Sequence, residues 1–196
     1  MKISYTIVVV TIGLLASGCE VEDPVKEAVP ELITQVTLTF TPSDGSPVVV
    51  TATDPDGEGV QDIVVEGPVF LEVTKSYGLS ITLTNGLAQP TDPEYDITEE
   101  VREEGDEHIF FYAWTNNVFA DPEGDGNLDN RDGPINYQDE DENGLPIGLE
   151  TSWTSGSAAS GSFRVVLKHQ PDLKSETSDS SEGDTDLDIT FSIEVQ

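Results

Sequence analysis

Three short acidic loops contain the side chains best suited to binding a cation. Residues 54–59, 121–126 and 139–144 each place an acid at the first and third positions, an acid or Asn at the fifth and Gly at the sixth. Calcium takes about six to eight oxygen ligands, which alternate residues of a tight loop can supply. The candidate ligands are Asp54, Asp56 and Glu58, then Asp121, Glu123, Asp125, Asp129 and Asp132, and finally Asp139, Asp141 and Asn143. The pattern predicts calcium in at least one loop, with 121–132 the best candidate.

The same residues are also typical of ordinary turns. Asp, Asn and Gly favour hairpin turns through side-chain hydrogen bonds to the backbone and through positive φ angles. The second loop follows the EF-hand pattern at Leu128 and Asp132, but it departs from that pattern at Glu123, and no flanking helices are expected. Solvated turns therefore remain the alternative to calcium sites.

The two histidines, His108 and His169, are the other candidate ligands. His108 lies where a predicted helix gives way to an aromatic strand, and His169 lies in phase with the apolar residues of its own predicted strand. If the two side chains converge, they would form a site for zinc, copper, iron or haem, because imidazole suits these metals. A packing role is the alternative, since no third ligand accompanies them at a recognisable spacing.

No catalytic constellation is recognisable in the sequence. There is no G-x-S-x-G nucleophile elbow, and no Gly-rich phosphate loop precedes a Lys. Carboxylates are abundant, but no pair is singled out by an apolar setting that would raise a pKa. We therefore predict a protein that is not an enzyme.

The charge of the chain restricts its partners. Its 196 residues include 39 acids and 8 Lys and Arg, which gives a formal net charge of −31. A polyanion does not bind a phosphate backbone, so nucleic acid is excluded as a partner. The chain has one Cys, which excludes an intramolecular disulfide.

The first 31 residues predict export and lipid anchoring. Residues 1–18 have the charged start, apolar run and small residues of a signal peptide. The LASGC motif at 15–19 resembles the bacterial lipobox, which implies that Cys19 is acylated and anchors the chain in a membrane. Residues 19–31 form an acidic, flexible tether. Acids directly after the Cys resemble a surface-export signal of bacteroidete lipoproteins, so we expect an outer-membrane location and slightly favour the cell surface.

Alternating apolar and polar residues predict a single all-β domain over residues 32–196. Its expected architecture is an immunoglobulin-like β-sandwich of about 7–9 strands with one short helix at about 96–107, where Asp96 and Glu99 have capping-box spacing. The continuous apolar run at 109–114 predicts a central strand buried on both faces. The clearest strands are 36–40, 48–53, 79–84, 109–114, 163–168 and 187–195, and weaker ones are 63–65, 69–73, 134–137 and 149–153.

Five short motifs, in their order along the chain, resemble a family of small lipoproteins common in flavobacteria. They are ELIT at 31–34, DITEE at 96–100 leading to EH at 107–108, NGLPIGL at 143–149, LKHQP at 167–171 and DLDITF at 186–191. Such proteins are often labelled type 1 periplasmic binding fold superfamily proteins. The family also resembles accessory lipoproteins found with TonB-dependent outer-membrane receptors, which implies a receptor partner in nutrient uptake and no particular activity.

These observations predict a non-catalytic binding or accessory module anchored in the outer membrane. Two alternatives stay open at this point. One is a structural or adhesive surface domain stabilised by calcium at the acidic loops. The other is a protein that captures a metal ion or haem through His108 and His169.

Overall fold

The alternating apolar residues form ten β-strands and one α-helix in a computed structural model that describes residues 31–57 and 62–196. The elements are β1 (Gln35–Pro42), β2 (Val48–Thr53), β3 (Val64–Val65), β4 (Val69–Leu71), β5 (Ser76–Thr84), α1 (Ile97–Glu103), β6 (His108–Trp114), β7 (Phe119–Asp121), β8 (Glu150–Ser155), β9 (Ala159–His169) and β10 (Asp184–Val195).

The strands form two sheets that pack as a β-sandwich, as the sequence predicts. Sheet A has the order β3-β2-β1-β5-β8-β7, and sheet B has the order β4-β10-β9-β6. The pairing of β4 with β10 is parallel, and the other strand pairs are antiparallel. Alternate residues of both sheets build one apolar core, in which Phe40, Tyr112, Trp153 and Phe163 are among the largest buried side chains. The all-β prediction is confirmed.

Some strand boundaries differ from the prediction. The strand β7 was not predicted, which brings the number in the described residues to ten rather than 7–9. Residues 134–137 do not form a strand, and only Tyr137 makes an isolated bridge, to Thr151. Both segments belong to the long connection between β6 and β8, where contacts with other strands decide the backbone conformation more than local apolar alternation does.

The helix α1 is shorter than the predicted span of 96–107. The side chain of Asp96 accepts a hydrogen bond from the Glu99 N–H at 3.2 Å, as the capping motif predicts. The hydroxyl of Thr98 bonds both the N–H and the C=O of Leu83, which docks the helix on β5. After Glu103 the chain turns through residues 104–107 into β6, because the backbone must re-enter sheet B at that point.

The aromatic strand β6 is buried along its whole length, but it is an edge strand of sheet B rather than a central one. The prediction of a central strand was therefore wrong. Loops from the 121–149 connection cover the free edge and satisfy its backbone groups. The bonds are Phe110 N–H to Ile147 O at 2.7 Å, Tyr112 N–H to Asn127 Oδ1 at 3.0 Å, Asn127 N–H to Tyr112 O at 2.9 Å and Trp114 N–H to Asp125 O at 3.1 Å. An edge covered in this way cannot pair with another chain.

Leu128 explains why the outer face of β6 is also buried. It packs in a small apolar cluster with Ile109, Phe111, Ala113 and Val166 on the side of sheet B that faces away from the main core. The second acidic loop therefore covers the outer face of β6 with an apolar side chain.

We expect Asn127→Ala to destabilise the fold by about 1–3 kcal/mol, because it leaves the N–H of Tyr112 without its acceptor beneath the covering loop. Urea unfolding of the purified protein measures the change. The matched control is Asn143→Ala, whose side chain is exposed in the third acidic loop. Equal stability of the two variants would contradict the assignment of Asn127 to the covered edge.

Several predictions fall outside the described residues. These are the signal peptide, the acylation of Cys19, the tether up to residue 30, and Glu58 of the first acidic loop. In residues 31–57 and 62–196, no helix combines the length and apolar character needed to cross a membrane.

Candidate metal centre

The two histidines meet at one end of sheet B. The strand β6 begins at His108, β9 ends at His169, and their antiparallel register places these residues directly opposite each other. The imidazole rings stack with centroids 4.6 Å apart and planes 8° apart. His108 is fully buried, and His169 is 6% exposed. The side chains of His108 and His169 therefore converge, which the sequence alone could not establish.

A β-bulge brings Asp186 to the same place. In the pairing of β10 with β9, Thr185 lies opposite Lys168 and Leu187 opposite Leu167, so Asp186 is an extra residue without a partner. Simple alternation would place Asp186 on the solvent side of the strand, but a bulge re-aims the side chain. The Asp186 side chain has no exposure, and its Oδ2 lies 3.7 Å from His108 Nε2.

Glu31 is the fourth member and comes from the chain just ahead of β1. Its side chain is 5% exposed, and its Oε1 lies 3.4 Å from His108 Nε2. One potential ligand atom from each of Glu31, His108, His169 and Asp186 lies within 4.8 Å of the other three. These four residues are referred to below as the inner cluster.

Hydrogen bonds outside the inner cluster set the tautomers of the two imidazoles. His108 Nδ1 lies 3.1 Å from the carbonyl oxygen of Glu104, which can only accept, so Nδ1 donates and, in the neutral imidazole, Nε2 keeps its lone pair. His169 Nε2 lies 3.0 Å from Oε2 of Glu107, and donation to that carboxylate leaves the lone pair on Nδ1. Metal-binding histidines are oriented in this way by a carbonyl or a carboxylate.

The inner cluster has buried polar atoms with no hydrogen-bond partner among the described residues. They are His108 Nε2, Glu31 Oε2 and both side-chain oxygens of Asp186. An unsatisfied buried group costs about 1–3 kcal/mol, and such groups are rare in folded proteins. These atoms are all acceptors in the tautomer described above, so a positive ion would satisfy them together.

The two carboxylates concentrate negative charge in the inner cluster. Burial and the nearby charge of Glu31 raise the pKa of Asp186 to about 6. Burial alone would raise the pKa of Glu31, but a hydrogen bond and positive charge from His108, together with the Glu31 backbone and His169, outweigh burial and hold that pKa below its ordinary value. A metal ion bound to His108 Nε2 would take the place of that donor and charge. At neutral pH the inner cluster thus contains two negative charges.

In the first and third acidic loops, carboxylates bond their own backbone. Asp54 Oδ1 accepts from the N–H groups of Asp56 and Gly57, which is the geometry of a turn. Asp141 Oδ1 accepts from Asn143 and Leu145 in the same manner. Asp139 accepts from the N–H groups of Gly148 and Glu150, and burial raises the pKa of Asp139.

Other loop carboxylates pair with cationic side chains or face solvent. The ion pairs are Asp125 with Arg131 at 3.4 Å, Asp129 with Arg164 at 2.6 Å and Asp141 with Lys174 at 2.9 Å. The exposed candidates are Asp121, Glu123, Asp132 and Asn143. In the described parts of the chain, the acidic loops contribute no residue to a group of three close donors. These contacts favour the solvated-turn alternative, while calcium binding itself remains a prediction.

The sequence pattern points to His108 and His169, but Glu31 and Asp186 were not predicted as ligands. Glu31 was assigned to the tether because it ends an acidic stretch, and Asp186 was overlooked because it lies just before the strand predicted at 187–195. A fixed spacing of ligands could not reveal the cluster, since its members come from four separate parts of the chain. The in-phase position of His169 at the end of an apolar strand was the available signal.

No protein-family model, curated protein or solved structure matches the chain. The assignment of a function therefore depends on the geometry of the inner cluster.

Proposed function

We propose that the protein binds one divalent transition-metal ion, with zinc as the best fit, through Glu31, His108, His169 and Asp186. The observation that supports this most strongly is the set of buried acceptor atoms without a partner among the described residues. Two carboxylates and two neutral imidazoles give a charge of −2, which a divalent ion balances. Imidazole and carboxylate are also the ordinary nitrogen and oxygen ligands of zinc.

Two distances at His108 Nε2 are close to those between the ligand atoms of a tetrahedral site. With zinc–ligand bonds of about 2.0–2.1 Å, neighbouring ligand atoms lie roughly 3.3–3.4 Å apart. His108 Nε2 lies 3.4 Å from Glu31 and 3.7 Å from Asp186, and one potential ligand atom from each of the four residues lies within 4.8 Å of the others. To bind one ion, these atoms must move closer together and the nearly parallel imidazole rings must rotate, because a ring nitrogen binds a metal in the plane of its ring. The ring of His108 is fully buried against His169, which favours a bare ion over the flat macrocycle of haem.

A closed set of four protein ligands favours binding or stabilisation over catalysis. Catalytic zinc sites keep one position open for water or substrate, whereas structural sites are filled by four side chains. This agrees with the absence of a recognisable catalytic motif in the sequence. We therefore propose a non-enzymatic metal-binding module, carried on the lipid anchor predicted at Cys19 and suited to an accessory role beside an outer-membrane receptor.

Zinc titration of the purified protein tests the proposal. We expect one tightly bound zinc per chain in a Cys19→Ser variant, which removes the only thiol. At a zinc concentration 100 times the dissociation constant, the gain in stability is about 2.7 kcal/mol. For a domain of this size, that corresponds to a rise of roughly 5–10 °C in Tm. Failure to bind zinc or another divalent transition metal would refute the proposal.

We expect Glu107→Ala to lower the zinc affinity by about 10–100-fold, because it removes the carboxylate that orients His169. Competition with a chelator of known affinity measures the change. The matched control is Glu103→Ala, a nearby acid at the end of α1 that belongs to none of the close donor groups in the described residues. An unchanged affinity in Glu107→Ala would contradict the proposed role of this hydrogen bond.

A further inference from the structure

Further carboxylates lie next to the inner cluster, on its solvent side. Glu31 belongs to a second group of close carboxylates, with Glu100 and Glu104, whose potential ligand atoms also lie within 4.8 Å of one another. Glu100 and Glu104 are half-buried, whereas the side chain of Glu31 is 5% exposed and that of His108 is fully buried. Glu31 is thus shared between a deep site and a shallower one.

The shallower group adjoins an acidic cleft. A cleft of about 460 Å³ lies between α1 and the segment 90–96, and Glu100 and Glu104 are part of its wall. Seven of the residues that line it are acidic. A concave surface with charges of one sign focuses the electric field and raises the local concentration of counter-ions. The cleft is therefore suited to collecting cations from solvent.

An unsatisfied atom distinguishes this group from an ordinary cluster of surface acids. Glu31 Oε2 is buried and has no hydrogen-bond partner among the described residues, on a side chain that is 5% exposed. Three carboxylates form an all-oxygen donor set, which suits hard divalent cations such as calcium, magnesium and manganese. Such a set binds a transition metal less tightly than one with imidazoles.

We propose that Glu31, Glu100 and Glu104 form a second, weaker divalent-cation site, through which a metal ion passes from the acidic cleft to the inner cluster. This inference depends on the proposed function, since it assigns the route by which the buried site is loaded. Glu31 is the residue that contacts the ion at both stages.

Cobalt(II) loading of the full chain in detergent, in the Cys19→Ser background, tests this route. Cobalt in the tetrahedral inner cluster absorbs visible light strongly, whereas cobalt bound by carboxylates and water absorbs weakly. For the protein with the inner and outer sites intact, we expect one tight cobalt with strong absorption and one weaker cobalt without it. In Glu100→Gln/Glu104→Gln, we expect the weaker cobalt to be lost and stopped-flow loading of the tight site to slow about tenfold or more. The final strong absorption should be retained.

The matched control is Glu142→Gln/Glu176→Gln, which removes the same charge at two exposed positions. It should keep both cobalt ions and the original loading rate. The single variant Glu100→Gln should load at an intermediate rate, and it replaces the double variant if that protein does not fold. Loading of the double variant at the control rate, or retention of its weaker cobalt, would overturn the outer site alone. Absence of the strong absorption from the protein with both sites intact would overturn the proposed function itself.

Discussion

His108→Phe should abolish the zinc-dependent rise in Tm and lower the zinc affinity by about 100–1,000-fold. Structural zinc sites are worth about 10–16 kcal/mol in total, so one ligand of four contributes roughly 2.5–4 kcal/mol. Phe keeps an aromatic ring against His169 but removes the Nε2 atom that faces both carboxylates. Thermal unfolding with and without zinc, together with chelator competition, measures both effects.

Two further variants separate the loss of a zinc ligand at His108 from a change in packing. His108→Asn keeps a polar side chain, and it should also lose the zinc response if the imidazole nitrogen is the ligand. As a matched control, Asn85→Ala changes another buried polar residue outside the inner cluster and should keep the full response to zinc. A zinc-dependent rise in Tm that survives His108→Phe would show that the ion binds elsewhere.

Asp186→Asn should have opposite effects on the stability of the protein without and with zinc. Without metal, Asp186 is a buried carboxylate whose oxygens lack a hydrogen-bond partner among the described residues, and it faces a second negative charge. Asn removes that charge at almost the same size, so the metal-free variant should be more stable by about 1–3 kcal/mol at pH 7.5. With zinc, the variant should be less stable than the original protein because it has lost a ligand.

The sign of the pH dependence follows from the raised pKa. The pKa of Asp186 is about 6 in the folded chain against an ordinary value of 3.8. The favourable contribution of Asp186 to the free energy of unfolding is present below about pH 4 and is lost as the pH rises through 6. The stability difference between Asp186→Asn and the metal-free original should therefore grow from pH 4 to pH 7, as chemical unfolding can measure.

Asp188→Asn is the matched control on the same strand. Asp188 lies two residues further along β10, is exposed, and pairs with Arg164 at 2.6 Å. Its loss should lower stability by at most about 1 kcal/mol and leave the response to zinc unchanged. A metal-free Asp186→Asn that is less stable than the original would contradict the assignment of an unsatisfied charge to this position.

Strand periodicity in the sequence predicts part of the metal centre. Alternation placed His169 on the inner face of β9 with Phe163 and Leu167, and the structure confirms that face. It also predicted the bounds of β2 and came within two residues of those of β1, whereas β5 and β10 each begin three residues earlier than predicted. The register of β6 against β9 could not be predicted, since it is set by packing between strands distant in sequence. That register is what stacks His108 on His169.

The remaining ligands depend on features that periodicity does not contain. The bulge at Asp186 reverses the direction of one side chain, and nothing in the local residue pattern DTDLD marks it. The position of Glu31 depends on how the chain enters β1 from outside the sandwich. In the second acidic loop, the calcium-like pattern did not predict that Leu128 packs on the outer face of sheet B.

X-ray absorption at the zinc edge tests the four proposed ligands, on protein that has been loaded with zinc and then desalted. We predict four nitrogen and oxygen ligands at about 2.0–2.1 Å, with the outer-shell scattering of two imidazoles. His108→Phe prepared in parallel should retain little zinc. Zinc with only oxygen ligands, a zinc–sulfur distance of about 2.3 Å, or no retained zinc would contradict a centre built from Glu31, His108, His169 and Asp186.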